Sequence, residues 1–111
     1  MQLSMSNSDK NAFHQNVVKI IKRIPEGCVV SYGQVAALVG EPRKARHVGW
    51  VLHSSSESES LPWFRVINSQ GRISLPLNGG YELQKALLEQ EGVVFNESGR
   101  VDFKKFGWRP G

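Results

Sequence analysis

Few side chains in this 111-residue chain could do covalent chemistry. Its single cysteine, Cys28, sits in GCVVSY among apolar residues. Burial without a neighbouring cation raises a thiol's pKa and blunts it as a nucleophile, so Cys28 reads as packing, with a reactive thiol as the alternative. Ser69 has no evident histidine–carboxylate relay to activate it. His14, His47 and His53 are not paired with cysteines at ligand spacing, so no metal is expected, nor any other cofactor. Arg43, Lys44, Arg46 and His47 crowd one short segment, where cations can neutralise phosphates or form an ordinary solvated face. In LPWFRVINSQGRI, Trp63 stands between a proline and an apolar run with no nucleophile beside it; the plain account is an aromatic capping a core.

Those groups must be held by helices and short strands. Phe13, Val17, Ile20, Ile21 and Ile24 recur at helical spacing after Ser8, a suitable N-cap, and Pro25 ends the stripe. CVV is extended. SYGQVAALVG predicts a short helix, about residues 33–39, stopped at Gly40, and EPRKARHVGWVLHS restarts one with Pro42 in its first turn. Two short helices across a glycine turn make a helix-turn-helix candidate. Ala45, Val48 and Leu52 form the second helix's apolar face, while Arg43, Arg46, His47 and Trp50 share another. The acidic loop SSSESES (54–60) must be solvated, and Trp50 is expected to pack against it rather than on DNA. FRVI and GRISL read as paired strands. YELQKALLEQEG is a helix with Leu83, Leu87 and Leu88 inward, VVF and RVDF a closing hairpin, and KKFGWRPG a basic–aromatic tail.

Composition sets the outer bounds. Apolar content of 40% and charged content of 22% suit one globular domain, taken as residues 8–111 after a flexible stretch, residues 1–7. No apolar run is long enough to span a bilayer, and MQLSMSNSDK lacks the pattern of a secretory signal. A lone cysteine rules out an internal disulfide and fits a reducing cytoplasm. The formal charge of +4 favours an acidic partner, nucleic acid being the usual one.

IPEGCVVSYGQVAALVG, RKARHVGWVL, LPWFRVINSQG and KALLEQEG, in that order, resemble the C-terminal domain of alkylguanine-DNA alkyltransferases across roughly residues 11–92. The third motif of those repair enzymes reads Pro-Cys-His-Arg-Val, its cysteine accepting the alkyl group from guanine. Trp63 at that place marks the alkyltransferase-like proteins, which bind alkylated guanine and transfer nothing. The resemblance implies a single small α/β domain with a winged-helix-type helix-turn-helix. It implies minor-groove binding of double-stranded DNA, flipping of O6-alkylguanine into a pocket, and a hand-over to nucleotide excision repair proteins by a monomer located with the DNA. By the same resemblance Tyr32 pushes on the target phosphate and Arg46 is the finger that fills the vacated stack. The lesion pocket would comprise Tyr32, Trp63, Val66, Ser74, Leu75 and Pro76. The DNA contacts would come from Tyr32, Arg43, Lys44, Arg46, His47 and Ser69, with Arg65 and Glu91 structural. Phe64 departs from the motif histidine that links the cysteine to the glutamate, leaving Glu91 in need of another partner. The family's Asn-Pro hinge falls at Ser55–Ser56, and Trp50 replaces a small residue. Three other readings stay open: an alkyltransferase using another nucleophile, a sequence-dependent DNA-binding regulator, and an interaction module that does not bind DNA.

Overall fold

Helix α1 (Leu3–Arg23) starts ahead of the Ser8 cap expected from the sequence. The computed structural model describes residues 3–110, with side chains from Ala12 onward; residues 1 and 2 of the stretch expected to be flexible lie outside the described residues. The anticipated stripe faces inward, with Val17, Ile21 and Ile24 almost fully buried. Pro25, without an N–H, ends it.

Strand β1 (Val30–Ser31) leads straight into helix α2 (Tyr32–Leu38), because the Ser31 hydroxyl caps the helix by accepting the Gln34 N–H at 3.0 Å. Gly40, at φ +84°, closes α2: its N–H reaches the Ala37 carbonyl while Glu41 N–H reaches that of Ala36, a paired C-terminal cap. Helix α3 (Ala45–Ser55) begins later than expected. Pro42 sits in a turn closed by Lys44 N–H on the Glu41 carbonyl (2.9 Å), not in a first helical turn. Helices α2 and α3 pack on each other and on α1, the helix-turn-helix arrangement.

The expected FRVI–GRISL strand pair does not form. Trp63–Arg65 is a 3₁₀ turn, and strand β2 (Val66–Ile67) pairs in parallel with β1, Val30 opposite Val66 and Ser31 opposite Ile67. Asn68 then bends the chain, its side-chain oxygen accepting the N–H groups of Gln70 and Arg72. Alternation along the two strands divides the core. Val30 and Val66 face a cluster built on α1, α2 and α3; Val29 and Ile67 face a second one with Ile73, Leu88, Val93 and Val101.

Helix α4 (Tyr81–Gln90) buries Leu88, but Leu83 is 57% exposed and Leu87 only half-buried, contrary to the expected inward trio. Gln84, one turn before Leu88, takes the inward place. The closing hairpin shrinks to one antiparallel bridge, Phe95–Val101, since Asp102 caps the short helix α5 (Phe103–Phe106). The tail then runs along the free edge of β1: Val29 N–H donates to Phe106 O and Trp108 N–H to Val29 O, both at 2.9 Å. No described helix is long and apolar enough to cross a membrane.

Candidate functional site

Where the end of β1 meets the 3₁₀ turn, the fold leaves a cavity of about 370 Å³, a volume within the ordinary range for ligand pockets. Tyr32, Trp63, Val66 and Leu75 line it, together with Gly49, Leu52, His53, Ser56 and Gln84. Trp63 follows from local geometry. Successive residues of a 3₁₀ turn lie about 120° apart, so Trp63 packs on the three-helix cluster while Phe64 joins the other. The two rings meet edge to face, 5.9 Å apart. Burial pushes the Tyr32 phenol above its ordinary value against a smaller opposite pull from its hydrogen bond with Ser74, so the group is a neutral donor at physiological pH.

Of the other pocket residues named from sequence, Ser74 is exposed and meets the site through Tyr32. Pro76 is not among the lining residues: its carbonyl accepts from Gly79 and Tyr81, which turns that part of the loop toward α4. Arg46 is exposed on the first turn of α3 and, with Tyr32, Ala45 and Gly49, borders a shallow depression of about 310 Å³; Tyr32 and Gly49 are shared with the main cavity. Arg43 and His47 are exposed as well. Lys44 instead places its ammonium 5.1 Å over the Phe13 ring. Ser69, on the turn after β2, opens onto a different cavity with Ser31, Gln34 and Arg109. Trp50 stays 60% exposed against His47, ring centroids 4.6 Å apart, while Glu59 of the acidic loop pairs with Lys22; the expected seat of Trp50 on that loop is not what the fold provides.

Four lining residues missed from the sequence carried a signal. Gly49, Leu52, His53 and Ser56 are spaced i, i+3, i+4 and i+7, one stripe of α3 continued by its C-cap and neighbouring the basic one. Gln84 carried none: it lies on an amphipathic helix and reveals its role only by donating to the carbonyls of Phe64 (3.0 Å) and Val66 (3.1 Å). Cys28 is half-buried, less than expected, and packs against the three-helix cluster outside this lining.

Behind the 3₁₀ turn, Arg65 and Glu91 form a two-pronged pair, Nε to Oε1 at 3.0 Å and the second nitrogen to Oε2, with side chains 15% and 11% exposed. Gly27 N–H also donates to Glu91, and Arg65 to the Ile24 carbonyl. Burial alone would raise the Glu91 carboxyl; the hydrogen bonds from Arg65 and Gly27 and the Arg65 charge outweigh it and hold it below its ordinary value.

Residues 12–93 match the family model of the 6-O-methylguanine DNA methyltransferase DNA-binding domain. The chain belongs to that family. It is 44% identical over 98 residues to the DNA base-flipping protein of Vibrio parahaemolyticus, covering 88% of this chain and 97% of that one. It is 36% identical to alkyltransferase-like protein 1 of Schizosaccharomyces pombe, covering 88% and 95%. In three dimensions it resembles S. pombe Atl1 solved in complex with damaged DNA containing O6-carboxymethylguanine, with a TM-score of 0.77 at 34% identity over 90% of this chain and 97% of that one. In this fold the lining is shared among α3, the 3₁₀ turn and α4, with Tyr32 from the start of α2 and Gln84 tying α4 to the turn. The partner that Glu91 needed with phenylalanine at position 64 is Arg65, one residue further on.

Proposed function

We propose that this protein is a non-catalytic sensor of O6-alkylguanine in double-stranded DNA. One observation carries the reading. Trp63, at the acceptor-cysteine position of the alkyltransferase pattern, lines the cavity beside Tyr32, while Cys28 is not among the lining residues. Alkyl transfer requires a thiolate aligned for in-line attack on the alkyl carbon. The indole nitrogen's lone pair belongs to the aromatic system, so Trp63 offers a flat apolar wall and no comparable nucleophile.

On this reading α2 and α3 dock in the minor groove, with Arg43 and His47 beside the backbone. Tyr32 presses on the phosphate of the target nucleotide, and the base rotates into the cavity as Arg46 fills the gap. A planar, permanently charged guanidinium stacks well on bases, and its contacts offset the few kcal/mol that extrusion costs. The names of the relatives support this: base-flipping in one, alkyltransferase-like in another, and damaged DNA in the Atl1 complex. The protein acts in the cytoplasm, with the DNA, as a monomer that presents the lesion to nucleotide excision repair proteins.

Competition between O6-methylguanine and unmodified duplexes at physiological salt tests the reading, with the methyl group isotopically labelled. The alkylated duplex should win while all label stays on DNA. Equal binding, or label on the protein, refutes it.

A further inference from the structure

A second cavity, of about 350 Å³, lies where the start of α2, the turn after β2 and the tail come together. Its polar lining, Ser31, Gln34, Ser69 and Arg109, comes from three distant parts of the chain, and no Asp or Glu among the described residues lines it. The tail is fastened there. Trp108 N–H donates to the Val29 carbonyl at 2.9 Å, the Trp108 carbonyl accepts from Gln34 Nε2 at 2.7 Å, and the Arg23 guanidinium stands 5.6 Å over the Trp108 ring. Arg109 follows directly, exposed and with no ion-pair partner among the described residues. Ser69 is exposed beside the same cavity, and Ser31 Oγ accepts the Gln34 N–H, which leaves its own proton to donate.

An unpaired guanidinium and two hydroxyl donors around a cavity without a carboxylate suit an anionic oxygen ligand. The place of the cavity says which one. It meets the lesion cavity at consecutive residues, Ser31 and Tyr32. We infer that Arg109, with the hydroxyls of Ser69 and Ser31, binds a backbone phosphate of the lesion-bearing strand close to the one on which Tyr32 presses. The strand and the place rest on the sensor reading. The tail thus carries a cation to the DNA face built by α2 and α3, besides covering the edge of β1. A phosphate contact fixes register and reads no base, so it raises affinity for damaged and intact duplexes alike and leaves discrimination to the lesion cavity.

The test measures binding of the full chain to O6-methylguanine and plain duplexes across a salt series. Arg109→Ala should weaken both about fivefold at physiological salt, the upper range for an exposed ion pair, and shrink the slope of log affinity against log salt by about 0.9. Arg109→Lys should keep the slope. Lys104→Ala, which removes an exposed tail cation outside the cavity lining, should leave slope and affinity unchanged. Thermal unfolding of Arg109→Ala should match the wild type, because no ion-pair partner is lost. Single phosphates near the lesion, replaced one at a time by uncharged methylphosphonates, should include one whose loss is not additive with that of Arg109→Ala. An unchanged slope in Arg109→Ala, the same change in Lys104→Ala, or additive losses at every position overturns the inference. The sensor reading then stands if the wild type still prefers the alkylated duplex. Equal wild-type binding of the two duplexes overturns both, since the strand and place go with the flipped base.

Discussion

Single side chains carry three expectations. Arg46 is exposed beside Tyr32, with no ion-pair partner among the described residues. Arg46→Ala should therefore leave stability alone and weaken binding of an O6-methylguanine duplex by about 2 kcal/mol, roughly thirty-fold, the scale of the extrusion cost it offsets. A fluorescent base analogue at the target should lose its unstacking signal; an unchanged signal removes the finger role. Trp63 supplies the apolar wall, and stacking of a base on an aromatic ring is worth about 1–3 kcal/mol. Trp63→Ala should cut the preference for alkylated over plain guanine about tenfold in competition binding. Glu91 acts on stability. Its carboxyl sits below the ordinary value when folded, so the stabilisation it gives is present above the unfolded carboxylate pKa and lost as pH falls through the folded one. Acid unfolding below the normal carboxylate range should be blunted in Glu91→Gln, which also costs about 3 kcal/mol at neutral pH by leaving the part-buried Arg65 unpaired.

At the scale of elements, the site depends on how α4 is tied to the 3₁₀ turn and β2. Gln84 is the tie, two hydrogen bonds from one amide to consecutive parts of that segment. Gln84→Leu keeps the volume but leaves the Phe64 and Val66 carbonyls without these donors. It should lower the unfolding free energy by about 2 kcal/mol in denaturant titration and loosen lesion preference as well, because the same segment carries Trp63. The outward position of Leu83 has the same origin. Leucine and glutamine at neighbouring positions differ by about 100° around a helix, and which points inward depends on what α4 meets. The packing partner here is a pair of carbonyls rather than an apolar surface, so the polar residue turned in.

For the molecule as a whole, the tail completes the parallel ribbon by covering the outer edge of β1, while Trp108 packs on the three-helix cluster under Arg23. Removing residues 107–111 should lower the melting temperature by several degrees, as expected for the loss of the Trp108 hydrogen bonds with Val29 and Gln34 and of a packed indole in a domain of this size. The net charge of +4 bears on binding. Affinity for duplex DNA should fall linearly with the logarithm of salt, and Arg43→Ala should shrink that slope by about one counterion while weakening alkylated and plain duplexes alike. A flat salt dependence removes the phosphate contacts from the account.

The order of the motifs, the helix stripe ending at Pro25, the Gly40 stop and the tryptophan at position 63 were legible in the chain because each depends on near neighbours: spacing along one helix, a missing N–H, a left-handed glycine. Non-local contacts settled the rest. Val66 had to find Val30 before FRVI could become a turn and a parallel strand instead of half a hairpin, and Arg65 had to meet Glu91 and Gly27 across a long separation in the chain. The cavity wall from Gly49 to Ser56 had a readable spacing, but only the arrival of Trp63 and Leu75 at the same cavity made that stripe a wall. Local sequence fixes which conformations a segment can adopt; which face of it meets which partner is decided when distant segments close on one another.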